Sequence, residues 1–155
     1  MSDQVALRKH LLYLLNGDGA HLNLEEALKD LPAARRAERP AGSPYSAWEV
    51  LEHLRITQQD VLESLRQADH ESPEFPAGYW PKMSAPPHAK AWDQSAAALR
   101  ADLEELKGMV ENEANDLFAK VGNDEAQTIM RKLLMLADHN AYHVGQLVLL
   151  RRLLP

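Results

Sequence analysis

Cysteine is missing from all 155 residues. That excludes disulfides, thiolate zinc sites, iron–sulfur clusters and cysteine nucleophiles together. A metal in this protein has to be held by imidazole or carboxylate. Aromatic side chains are scarce as well, with two Phe, three Trp and four Tyr. Positive charge is in deficit: 17 Lys and Arg stand against 23 Asp and Glu, for a formal net charge of -6. Nucleic-acid affinity comes mainly from clustered basic side chains, so DNA and RNA are not expected partners. The two basic groups, Arg35, Arg36 and Arg39, and Arg151 with Arg152, read as solvated surface. No run approaches the ~18–20 apolar residues of a membrane helix. The N-terminal Met-Ser-Asp-Gln has no basic segment leading into an apolar one. A cytoplasmic protein without a membrane partner is expected.

What remains is ordinary globular composition, 45% hydrophobic and 26% charged, at a length suited to one domain spanning 1–155. Helical periodicity dominates, and no segment alternates apolar and polar residues in the manner of a strand. A first helix is predicted from Asp3 to Leu15, stopped by Asn16-Gly17-Asp18-Gly19. Asn23 is placed to cap a short helix, Leu24 to Leu31, ending before Pro32. Ser46 with Glu49 makes a Ser-x-x-Glu capping box, opening a long helix to about Ala68. The stretch from Glu71 to His88 carries Pro73, Pro76, Pro81, Pro86 and Pro87 and is a connection, because proline fixes φ and removes a donor. Further long helices follow at about Ala89–Glu113 and Glu125–Arg152, with Gly122-Asn123 in the turn between them. Four long amphipathic helices make a four-helix bundle. The connection of some eighteen residues exceeds the ~2–8 typical of antiparallel neighbours, long enough to cross the bundle and leave its flanking helices parallel.

Seven histidines are present, and three are placed for chemistry. His139 and His143, in Asp138-His139-Asn140-Ala141-Tyr142-His143, are four apart and so stack on one helical face. This spacing offers two imidazoles to one divalent ion. It also occurs in His-Glu-x-x-His zinc proteases, but Asn140 occupies the glutamate position and an amide cannot take the proton. A third ligand must come from another element, and His53, inside the second long helix, is the best candidate. His143 and His139 flank the predicted buried stripe of Ile129, Leu133, Leu136, Ala137, Val144, Leu147 and Val148. His53 falls at the edge of its own stripe, next to Thr57. A surface histidine or a hydrogen-bonded core histidine remains the alternative for each.

The run from Leu133 to Leu147, with its His-x-x-x-His-x-Gly-Gln core, resembles the last-helix signature of the DinB/YfiT-like superfamily. Trp48-Glu49-Val50-Leu51-Glu52-His53-Leu54 resembles the second-helix motif, and Gly78-Tyr79-Trp80-Pro81 resembles one DinB subgroup. The resemblance runs from the first helix to Arg152. It implies a bundle of up-down-down-up connectivity, homodimeric in many members. It further implies a divalent metal, Zn or Ni foremost and Fe or Co also compatible, on His53, His139 and His143. An open three-His site activates water or a thiol. The function implied is a metal-dependent enzyme acting on a small molecule, of thiol S-transferase or hydrolase type, with a low-molecular-weight thiol as partner. The alternative is a non-catalytic dimeric bundle with a vestigial or structural metal.

Individual roles stay open between two readings. Glu49 either orients the ligand at the metal or completes the capping box. Asn140 and Tyr142 either bind substrate or are satisfied bundle residues. Tyr79 and Trp80 either wall the pocket or anchor the loop, and Asp138 is surface or an outer partner of His139. Gly145 is read as a site of close helix approach. Leu149, Leu150, Leu153 and Leu154 are either dimer contacts or core.

Overall fold

Ser46 sets the start of the longest-range element of the site. Its side chain accepts from the Glu49 backbone N–H, and the Glu49 carboxylate accepts from the Ser46 N–H at 2.8 Å, so two otherwise orphaned donors are satisfied reciprocally. The same reciprocal cap, Asn23 with Glu26, opens the short helix. In a computed structural model that describes residues 3–17, 19–122 and 126–154, five α-helices form: α1 Asp3–Asn16, α2 Leu24–Leu28, α3 Ala47–Arg66, α4 Ala91–Glu111 and α5 Ile129–Leu153. Among the described residues there is no strand, only an isolated bridge between Lys120 and Thr128. The fold is all-α.

Several boundaries differ from expectation, each for a local reason. The short helix stops at Leu28, since the Lys29 N–H closes it on Glu25 and Asp30 takes a left-handed φ of 61°. The last helix begins at Ile129, where the Thr128 side chain accepts from the Arg131 N–H at 3.1 Å. Residues 126–128 precede it as non-helical chain, and Glu125, the expected start, lies outside the described residues. Asp18 and Asn123, read as turn residues, lie outside them too.

Side-chain contacts order the helices. Glu52 with Ser95, Gln58 with the Leu99 carbonyl, and Arg66 with Glu105 climb α3 and α4 together. Those two helices therefore run in the same sense. His53 with His143, and Gln58 with Asn140, show α3 and α5 running in opposite senses. Against α4, α1 is also reversed: Arg8 reaches Val110 and Asn16 reaches Lys107.

The apolar core falls into two clusters. One joins Trp48, Leu51 and Leu54 to Trp92, Leu99, Val144, Leu147 and Leu150. The other joins Leu11 and Leu15 to Val61, Leu62, Leu106, Val110, Leu133 and Leu136. Between them lies a polar layer. Gln58, fully buried, donates to the Leu99 carbonyl at 2.6 Å and accepts from Asn140 Nδ2 at 3.0 Å. Leu150 and Leu154 are core, whereas Leu149 and Leu153 face outward. A Cβ on Gly145 would meet nothing within 4 Å. The close helix approach expected there does not occur within the chain, because this position of α5 faces outward.

Candidate metal centre

His53 and Gln58 both leave the inner side of α3, and at that level α5 presents His139 and His143. The fold brings all three expected histidines together. His53 Nε2 lies 3.1 Å from His143 Nε2 and 3.0 Å from His139 Nε2. One ring nitrogen from each of the three falls within 4.8 Å of the others. His53 and His143 are buried, while His139 is partly open to solvent.

The outward-facing nitrogens decide which atom carries the proton. His53 Nδ1 is 2.8 Å from the Tyr79 carbonyl oxygen; a carbonyl can only accept, so Nδ1–H donates and Nε2 keeps its lone pair. His143 Nδ1 likewise donates to Gln146 Oε1 at 2.7 Å. This is the way metal-ligating histidines are commonly oriented. His139 Nδ1 stands 3.5 Å from Asn140 Oδ1, too far to fix its tautomer.

The surroundings keep these rings neutral. Burial is the main cause of a lowered pKa for His53, partly opposed by its bond to Tyr79. Burial and the neighbouring His53 lower that of His139. Burial and His139 bring His143 down to about 4. At neutral pH, two bare lone pairs therefore face each other across 3.1 Å with no proton between them. Such a contact is repulsive unless a cation shares it. Nitrogens held by one ion at ~2.0–2.1 Å are separated by roughly 2.9–3.4 Å for right-angle to tetrahedral arrangements. Both of these Nε2 separations fall in that interval. The donor set is compatible with a divalent metal of the imidazole-binding kind.

Around this cluster the Pro-rich connection does more than join helices. Trp80 stacks on the His53 ring at 4.0 Å and 3° and on Tyr45 at 4.0 Å and 12°. Tyr142 meets His143 edge-on at 4.9 Å, and is largely exposed. Gln146 and Tyr45 also line a cavity of about 250 Å³ with Val50, Leu149, Leu150 and Leu153. Glu49 is occupied elsewhere. Both of its oxygens take donors from Arg39, and one also takes the Ser46 N–H. Although its burial acts in the opposite direction, these bonds hold its carboxyl below the ordinary range. It serves as cap and ion-pair partner. Asn140 is engaged by Gln58, and Asp138 is exposed.

Tyr45, Gln58 and Asp60 were not picked out by sequence reasoning. Gln58 carried a visible signal, a polar residue four positions from both Leu54 and Leu62 on the apolar face. Tyr45 and Asp60 carried none, since they meet their partners, the Trp80 ring and the Tyr79 hydroxyl, across a loop with no periodicity.

An all-α bundle with three converging imidazoles defines the class of protein. A family model of the DinB superfamily matches residues 18–147, a span that contains all three histidines, and the chain belongs to that superfamily. No curated protein and no solved structure matches it.

Proposed function

We propose that His53, His139 and His143 hold a divalent metal through their Nε2 atoms, and that the protein is a metal-dependent enzyme acting on a small molecule. The observation that carries this is the convergence of three Nε2 atoms, two of them with a free lone pair set from behind by Tyr79 and Gln146. Zn or Ni is the preferred ion, with Fe and Co compatible. Three protein ligands leave coordination positions open, the pattern of a catalytic rather than a closed structural site. A bound ion would supply Lewis acidity, lowering the pKa of water towards ~7 or holding a thiol as thiolate.

The chain's own residues supply position and shelter. Trp80 covers one face of His53 and keeps water from that side. Tyr142, largely exposed, packs edge-on against the His143 ring. The cavity beside Gln146 and Tyr45 suits the apolar part of a substrate. Transfer to or from a low-molecular-weight thiol, or hydrolysis, is the chemistry this supports. A second reading, a dimeric bundle with a structural or vestigial metal, is favoured by the outward Tyr142, Leu149 and Leu153 on α5.

Metal analysis of protein purified without a nickel column tests the site. One equivalent is expected, lost in His139→Ala; an equal metal content in that variant would refute it. A panel of thiols with an electrophile such as a bimane then tests catalysis. Metal-dependent turnover supports the enzyme, and a silent panel leaves the module.

A further inference from the structure

A carboxylate the metal site does not itself use sits two turns along α3 from His53. Asp60 is seven residues on, so the two share a helical face at a separation of roughly 10 Å. Tyr79 lies along this face and touches both. Its backbone oxygen takes His53 Nδ1–H at 2.8 Å, and its hydroxyl donates to Asp60 Oδ2 at 2.8 Å. The other carboxylate oxygen of Asp60 takes His70 Nε2–H at 2.7 Å. One side chain, with only 10% of its surface exposed, thus ties down the beginning and the end of the segment 70–79. The next residue, Trp80, stacks on His53.

We propose that Asp60 is a positioning residue for the metal ligand His53: by fixing the Tyr79 hydroxyl it fixes the Tyr79 carbonyl, which keeps the proton on His53 Nδ1 and leaves Nε2 free. The inference rests on the metal-site reading for its purpose but not for its test. Without the tie to Asp60, Tyr79 is held by a single 3₁₀ turn, its N–H on the Pro76 carbonyl at 3.2 Å, and by a side-chain hydrogen bond with Ser72. His53 then loses the acceptor that selects its tautomer, and the indole stack loses its support.

Tyr79→Phe removes one oxygen and nothing else. Asp60→Ala removes both carboxylate oxygens, so the ties to Tyr79 and to His70 break together. The first readout is the tautomer of His53, from long-range nitrogen–proton correlation spectra of the metal-free protein at pH 7.5. The wild-type ring is expected as Nδ1–H, and both variants as a mixture of tautomers, with helical content unchanged. The second readout is a titration with cobalt(II) followed by its absorption bands. Affinity is expected to fall about ten- to a hundredfold, as for other outer partners of ligating histidines. The double variant should lose less than the sum of the two single losses, because both substitutions break the same Tyr79–Asp60 contact. A His53 that stays Nδ1–H in both folded variants overturns the proposal. Wild-type protein that takes up no cobalt overturns the metal reading instead, and the tautomer comparison still decides the role of Asp60.

Discussion

Acidifying the metal-free protein should weaken it well before ordinary carboxylates titrate. In the unfolded chain His143 titrates near its ordinary value of 6.5, whereas in the fold burial and His139 bring it to about 4. Between those two values the unfolded state binds a proton that the native state refuses. Stability is thus complete above pH 6.5 and drains away as pH falls towards 4. At 1.36 kcal/mol per unit the loss from this one group reaches about 3 kcal/mol. His53 and His139 are shifted in the same direction and add to it. Urea unfolding with chelator present, at steps from pH 7.5 to 4.5, reads the effect directly. With a slope of about 2 kcal/mol per molar for a protein of this size, the midpoint should fall by more than 1 M. In His143→Gln, which cannot take the proton, the midpoint should fall less over the same range. A wild-type midpoint that is flat or rises on acidification would show that the three rings are not held neutral, and the account of the site would fail with it.

Three further outcomes follow from the packing. Gly108→Ala, at a helical position with nothing within 4 Å of the added Cβ, should raise stability by up to ~1 kcal/mol through helix propensity, measured by thermal unfolding. Gly145→Ala should do the same in a monomer; a loss of stability instead would mean that another copy packs against that face of α5. Arg8 is buried and donates to the carbonyls of Val110, Asn112 and Asn115 at 2.6, 3.2 and 2.5 Å, closing the end of α4. Arg8→Met should cost about 2–4 kcal/mol in chemical denaturation, and a change below 0.5 kcal/mol would show the contacts to be ornamental.

The sequence was legible wherever a rule acts over four residues. Ser46 and Glu49 announce their helix, and His139 and His143 must share a face whatever surrounds them. His53 was harder, because its meeting with the other two depends on how α3 lies against α5. Its position at the edge of a stripe pointed only to a cleft, and the match to a known pattern supplied the rest. The Tyr79 carbonyl left no mark in the sequence, since any residue has one. Aromatics at 79 and 80 in a Pro-rich segment allowed either a wall or an anchor. The structure gives Tyr79 and Trp80 anchoring contacts to the site itself. The helix ends shifted by a few residues where a side chain such as Thr128 took over the capping, a choice that hydrophobic patterning does not register.

Bundles cemented by leucine alone can slide, since a shift of one turn exchanges one oily neighbour for another. This protein has a bolt through it. Gln58 can satisfy both ends of its amide at only one register, against the Leu99 carbonyl on one side and Asn140 on the other; slipped by a turn, it would strand those groups in a dry interior at ~1–3 kcal/mol apiece. The threading of α3 between its two neighbours is thereby indexed to a single setting, and His53, one and a half turns from the bolt, meets the rings of α5 at the same height in every folded molecule.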